Sequence, residues 1–287
     1  MNSVEAKHDG LTIADLPIVK IEASRGWLSL NLREVWTYRE LLYFLAWRDV
    51  KVRYKQTVIG AAWAVVQPLL TMLVFTFVFG RVAKIPSDGS PYPLFVFVGL
   101  LPWNLFSRAL SQSIVSVVGN ANLITKIYFP RLLLPLSGIL PGVIDFAISF
   151  VFLLGLMVWY RVIPGAAVLL LPLLVAFTLL ASLSVSMWLA VVNVRYRDVG
   201  QAVPLLIQLW LFVSPVAYPL SEVEPKWQLL YSVNPVVGIV EGFRWAVLGT
   251  QNAPIIPLIL GVAVASLLLV GGTIYFKRME ETFADEV

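Results

Sequence analysis

The eight residues Arg48-Asp49-Val50-Lys51-Val52-Arg53-Tyr54-Lys55 carry five charges. The chain then passes through Gln56-Thr57 into about 23 mostly apolar residues that begin Val58-Ile59-Gly60-Ala61-Ala62-Trp63. A basic collar against an apolar run of bilayer length marks the cytoplasmic edge of a membrane span. The composition agrees: only 13% of the residues are charged, against 59% hydrophobic. Soluble domains carry about 25% charged residues, so the missing charge points to lipid as the solvent rather than to a large soluble core.

Six stretches are predicted to span, roughly 58–80, 94–118, 132–159, 165–193, 201–218 and 254–276. Each is long enough for a ~30 Å hydrocarbon core at ~1.5 Å per residue of helix. In lipid the backbone must satisfy its own hydrogen bonds, and the short alternating segments of a barrel are missing, so the chain reads as an all-α integral membrane protein. With the amino terminus inside, the nine Lys and Arg of residues 1–57 fall on the cytoplasmic side with Lys126, Arg131, Arg195, Arg197, Lys277 and Arg278. Only Arg81, Lys84, Arg161, Lys226 and Arg244 fall outside. The positive-inside rule then places both termini in the cytoplasm.

Residues 1–30 read as a loosely ordered tail without the apolar core of a cleavable signal. Residues 31–57 read as an interfacial amphipathic helix on the cytoplasmic surface, with Trp36, Tyr38 and Trp47 at headgroup level; a solvent-exposed helix with a few buried aromatics is the alternative. Residues 58–276 form the transmembrane domain and 277–287 a cytoplasmic tail. Before the last span, residues 219–253 hold two apolar runs, around 227–233 and 236–248, that are too short to cross. They predict an external re-entrant helical hairpin. Within it, Asn234-Pro235 reads as a helix start, Gly249 as a stop, and Glu241 and Arg244 as a pair one turn apart.

Several chemistries have no residues to carry them. The chain contains neither a G-x-x-x-x-G-K-[ST] phosphate loop nor a G-x-G-x-x-G fingerprint. It has no cysteine and one histidine, His8 in the tail, so no His/Cys metal cluster is expected. The outer-face acids Asp88, Glu222, Glu224 and Glu241 read as loop solvation rather than as a catalytic set. No catalytic residue and no bound cofactor is expected, and any uphill work must draw on an ion gradient or on another polypeptide.

Arg108 and Asp145 are the ionisable residues deep within predicted spans, at depths that agree within about 5 Å. Charges at such depth are costly and usually paired. An ion pair locking the second and third spans is expected, with a proton or substrate site as the functional alternative. Asn104, Ser107, Arg108 and Ser111 share one stripe of the second span, fitting either helix–helix hydrogen bonds or a wet pathway. Trp63, Trp210 and Tyr218, on the first and fifth segments, fit either lipid-belt packing or a surface on which sugar rings stack. The cytoplasmic loop 119–131 exposes Leu123, Ile124, Ile127, Tyr128 and Phe129 to water unless a partner protein or the membrane surface covers them.

These residues together resemble the permease subunits of type-2 ABC exporters for polysaccharides and polyol phosphates. The resemblance rests on Arg48-Asp49-x-Lys51-x-Arg53-Tyr54-Lys55, Gly60-x-x-Trp63, Pro68, Lys126-x-x-Phe129-Pro130-Arg131 and Arg195-Tyr196-Arg197-Asp198, then Ser214-Pro215-Val216-x-Tyr218-Pro219, Asn234-Pro235 and Arg244. It covers roughly residues 35–278, and its order and spacing are more specific than any one motif. It implies the type-2 ABC exporter fold, a homodimer in the bacterial inner membrane, and two copies of a separate ATPase subunit that uses ATP and Mg. Asn122, Lys126, Tyr128, Phe129, Arg131, Arg195 and Asp198 would couple to that ATPase. Arg48, Lys51, Arg53 and Lys55 would meet the diphosphate headgroup of a lipid-linked polysaccharide, O-antigen on undecaprenyl diphosphate first, or else sit on anionic membrane lipid. Trp63, Trp210 and Tyr218 would line the glycan path.

Three rivals differ in what they require. Teichoic acid, capsule, drug or lipid export would use the same architecture. A proton-coupled flippase would need more ionisable groups than Arg108 and Asp145 supply. A membrane glycosyl- or acyltransferase would need a clustered base or metal site. No nucleic acid partner is expected.

Overall fold

The computed structural model describes residues 32–55, 60–249 and 252–283. The expected tail 1–30, the first residues of the first apolar run (Val58 and Ile59) and residues 284–287 lie outside them. All regular structure among the described residues is helical. Two helices, α1 (Leu32–Thr37) and α2 (Arg39–Lys55), replace the single expected helix over 31–57. The remainder are α3 (Trp63–Phe75), α4 (Tyr92–Gly119), α5 (Ala121–Lys126), α6 (Leu133–Ser137), α7 (Leu140–Tyr160), α8 (Leu171–Arg195), α9 (Asp198–Val213), α10 (Pro225–Tyr231), α11 (Pro235–Leu248) and α12 (Ile255–Met279).

Five helical stretches are long and apolar enough to cross a membrane: Gly60–Val82, Tyr92–Gly119, Leu133–Tyr160, Ala166–Arg195 and Ile255–Met279. The first of them changes winding along its length, from a 3₁₀ turn at Gly60–Ala62 through α3 to a π-helical end at Thr76–Val82.

The segment expected to span 201–218 differs. The helix runs from Asp198 to Val213, 16 residues, and the chain becomes extended at Ser214, with φ −102° and ψ 147°. Pro215 is the cause: a residue before proline is pushed out of the helical region by the pyrrolidine ring. Apolar composition continues past Ser214, but the helix does not. The expected tail after 276 is also partly built, because α12 runs to Met279 and the buried Phe283 packs edge-on against Phe276.

The core is centred on α4. Its residues Leu94–Val98 are fully buried, and α4 touches α3, α6, α7, α8, α9 and α11. The face of α8 is built from Ala181, Ser182, Ser184, Ser186 and Ala190, all buried. Small residues let helices approach closely, and the serine hydroxyls donate to carbonyls of their own helix, as Ser184 does to Ala181 O at 2.7 Å. Of the two short helices in 219–253, α10 is mostly exposed and α11 is buried along most of its length. The Asn234 side chain caps α11 by accepting from Val236 N–H at 3.1 Å, and Gly249 closes it in the left-handed region at φ 70°.

The seam between α11 and α12 depends on glycine. A methyl group at Gly238 would lie 2.4 Å from the Pro257 carbonyl oxygen, whereas one at Gly165 would meet nothing within 4 Å. Gly238→Ala is therefore expected to cost about 1–3 kcal/mol through overpacking, and Gly165→Ala to be near neutral. Thermal unfolding of the two detergent-solubilised variants checks this; equal midpoints would contradict it.

Candidate functional site

Beside the last turn of α2, one carboxylate gathers three donors. Asp145 on α7 is buried and is paired with Arg108 of α4. It also takes Arg53 Nη2 at 3.0 Å and accepts the Tyr54 hydroxyl, both from the last turn of α2. Arg108 spends its second Nη on Gln67 Oε1 of α3 at 2.9 Å, and Ser149 of α7 donates to Ala64 O of α3 at 2.7 Å. Three helices thus meet at one acid, and a fourth, α3, joins them through Gln67 and the Ala64 carbonyl. Burial, and then the carboxylate it donates to, push the Tyr54 phenol up to about 12, so it remains a donor at physiological pH.

This geometry splits the basic collar. Arg48, Lys51 and Lys55 recur at spacings of three and four and share one face of α2, whereas Arg53 lies opposite, toward Asp145. Arg48 is engaged by its neighbour Asp49 at 2.7 Å, Lys51 sits over the Trp47 ring at 5.7 Å, and Lys55 is exposed. The outward side of α1 and α2 is aromatic, with Trp36, Tyr43, Phe44 and Trp47 exposed and Tyr43 stacked on Trp47.

The loop 119–131 divides in the same way. Asn122, Lys126, Ile127 and Tyr128 are exposed, Tyr128 at 62%. Ile124 and Phe129 are buried in a cluster with Leu45 of α2 and Phe276 of α12. The chain's own core therefore covers two of the five apolar residues expected to need a partner. Phe129, at 4% exposed, is an anchor and is not available to a docking protein. Arg131 donates its backbone N–H to Glu280 Oε1 at 2.9 Å, and Glu280 Oε2 holds Lys277 at 2.8 Å. The loop is thereby tied to the end of α12. Arg195, with its guanidinium over the Tyr196 ring, and Asp198 lie exposed between α8 and α9.

At the other end of α4, Arg244 of α11 is fully buried. It pairs with Glu241 at 2.9 Å and donates to the carbonyls of Val216 at 2.7 Å and Tyr218 at 3.2 Å. Its guanidinium lies 3.6 Å from the centroid of the Phe95 ring, close against Gly99, where an added methyl would sit 3.0 Å from its Nη2. Tyr92 donates to Ala217 O at 2.6 Å, and Asn234 Nδ2 to Ser214 Oγ at 3.2 Å. Ser214-Pro215-Val216-Ala217-Tyr218, Asn234 and Arg244 are far apart in sequence but form one clamp. It satisfies the carbonyls of a segment that proline has taken out of the helix. Burial pushes the Glu241 carboxyl up from its ordinary value, and the Arg244 pair pulls it back.

Trp210 packs edge-on against Phe106 and donates to Asn234 Oδ1 at 3.2 Å; Tyr218 donates to Phe212 O at 3.1 Å and meets the Tyr231 hydroxyl. Trp63 is half exposed. Among the described residues, no three His, Cys, Asp or Glu side chains converge where they could hold a metal ion. The sequence marked Tyr54 only as part of the collar motif and did not mark Gln67, Tyr92 or Glu280, because each acts through a tertiary contact that no periodicity shows.

Because Asp145 serves two arginines, a simple charge exchange with Arg108 should fail. Either single substitution removes one partner of a buried pair, a loss of about 3–5 kcal/mol. Arg108→Asp with Asp145→Arg restores that pair but sets the new arginine against Arg53, so little folded protein should return. Adding Arg53→Gln should recover more. Monodisperse yield on size exclusion reads the outcome; full recovery by the double exchange alone would show that Arg53 does not depend on position 145.

Comparison with known proteins places these features in a family. The model of the ABC-2 type transporter family matches residues 40–248. The chain is 33% identical over 260 residues to the O-antigen export system permease protein RfbA of Myxococcus xanthus, covering 89% of this chain and 98% of that one. It is 27% identical to the protein of the same name from Klebsiella pneumoniae, covering 86% and 94%. It is also 25% identical to the polysialic acid transport protein KpsM of Escherichia coli, covering 70% and 78%. The matched region runs from α2 through the basic collar and loop 119–131 to the Arg244 clamp, and the chain belongs to the ABC-2 type transporter family.

Proposed function

We propose that this chain is the membrane permease of an ATP-driven exporter that carries lipid-linked polysaccharide, O-antigen on undecaprenyl diphosphate, from the cytoplasm across the bacterial inner membrane. The observation that carries this reading is the near full-length similarity to O-antigen export permeases. The lower similarity to a polysialic acid transport protein supports capsule glycan as the second candidate substrate.

The geometry fits such a part. A long polar polymer cannot cross hydrocarbon unaided, so two copies of the chain would enclose its path. The helix α9 with the turns that follow it at Ser214–Tyr218 would serve as a sixth crossing, and both termini would face the cytoplasm. The exposed residues Asn122, Lys126, Tyr128, Arg195 and Asp198 would meet two ATPase subunits that supply ATP and Mg chemistry, while Phe129 and Arg131 seat the loop on α12. A pull on α5 would then reach α12 through Glu280, a rigid-body route of ordinary type. Arg48, Lys51 and Lys55 would face lipid phosphate on the outer side of α2, and α10 with α11 would form a re-entrant cap on the far side. Trp63, Trp210 and Tyr218 would border the glycan.

The test is the location of lipid-linked glycan in cells that lack the protein. Long lipid-linked polymer should accumulate on the cytoplasmic side of the inner membrane, with none at the surface. Normal surface glycan and no trapped polymer, with redundant exporters deleted, would overturn the reading.

A further inference from the structure

The Asp145 cluster holds two guanidinium groups and one carboxylate, so it carries one positive charge in excess. An unmatched charge in a poorly solvated site recruits an anion, because desolvation penalises it until a counter-charge arrives. The cleft behind Asp145 cannot hold a phosphate: it measures about 10 Å³, room for one water at most. The open side is the rim. Arg53 is one-third exposed, Arg108 is 14% exposed, and Gln67, which accepts from Arg108 Nη2, is exposed. Arginine has five N–H donors in a rigid fork that matches phosphate oxygens two at a time, and a single Arg53 nitrogen is committed to Asp145.

We infer that the rim formed by Arg53, Gln67 and Arg108 is a binding site for a phosphate-bearing lipid headgroup, and that Arg53 exchanges Asp145 for the ligand when the site fills. Arg53 and Tyr54 are the two side chains by which the last turn of α2 holds Asp145. Transfer of Arg53 to a phosphate leaves that turn on Tyr54 alone. Headgroup occupancy at the rim thus loosens α2 from the bundle, and the same helix packs through Leu45 on the cluster that seats loop 119–131. A loaded headgroup is reported to the cytoplasmic face by a change in how firmly α2 sits. This inference rests on the export reading only for the identity of the headgroup, a diphosphate on a polyprenyl chain; the exchange itself requires only phosphate chemistry.

The chain has no cysteine, so one introduced thiol reports without background. Ala46, buried on α2, is replaced as Ala46→Cys in the full-length chain held in phosphatidylcholine nanodiscs, and its alkylation by a water-soluble maleimide is timed. Geranylgeranyl diphosphate is the probe. It should accelerate alkylation about tenfold, the worth of one charge-assisted hydrogen bond. In Arg53→Gln, alkylation should be fast from the start and indifferent to the probe, and probe binding should weaken about tenfold. Asp145→Asn removes the competing anion and should bind the probe more tightly than the parent. Where that variant is not monodisperse, Tyr54→Phe takes its place with the opposite sign: it strips a donor from Asp145, tightens the carboxylate's hold on Arg53 and should weaken probe binding. Unchanged alkylation at saturating probe, weaker binding in Asp145→Asn, or tighter binding in Tyr54→Phe would overturn the exchange. Acceleration by added phosphatidylglycerol with no further effect of the diphosphate upholds the exchange and counts instead against the lipid-linked substrate as its ligand.

Discussion

The structure turns on a single buried carboxylate. Asp145 sits in the third span and holds Arg108 from the second and Arg53 and Tyr54 from the helix that precedes the first, while Arg108 extends the network to Gln67 of the first. In water such contacts would be worth little, since exposed ion pairs contribute about 0–1 kcal/mol. Removed from water they become obligatory, because loss of one partner strands a charge that the surroundings cannot solvate. The helix α2 is therefore drawn by its last turn against a charge inside a predicted span.

The helix α4 joins this cluster to a second one. Just past its middle it presents Arg108 to Asp145; in its first turns it presents Tyr92, Phe95 and Gly99 to the clamp around Arg244. Between them its side chains are mostly buried, so one packed helix carries both polar fastenings. The two fastenings differ in kind. Arg244 is fully enclosed and spends its donors on an acid and on two backbone carbonyls, which suits permanence. The Asp145 cluster is open along one rim and carries surplus positive charge, which suits exchange. A transporter requires both: rigid units, and ties between them that a ligand can undo.

The spans were legible because lipid imposes a length and a composition that no other context demands of a helix. The exception was 201–218. Hydropathy does not register that Pro215 bars Ser214 from helical backbone angles, and the helix stops at Val213. Arg108 and Asp145 could be matched by counting residues from the ends of their spans. Arg53 could not, because it lies in a charged collar where every basic residue reads alike until the helix is packed and one face turns inward. Glu241 and Arg244 were visible as neighbours one turn apart, but the carbonyls that Arg244 holds belong to a segment 26 and 28 residues away. Loop 119–131 was legible as an apolar surface needing cover. That Phe129 finds its cover beneath, in its own protein, depends on Leu45 and Phe276, whose distance in sequence hides the contact.

The account stands on Asp145 holding α2 to the bundle, and amide hydrogen exchange tests that most directly. In Asp145→Asn the amides of α2, residues 39–55, should exchange faster than in the parent, and those of α11 should keep their protection because the Arg244 clamp is untouched. Unchanged protection of α2 would show that apolar packing alone seats that helix, and that the carboxylate that takes Arg53 and Tyr54 is not what fastens it.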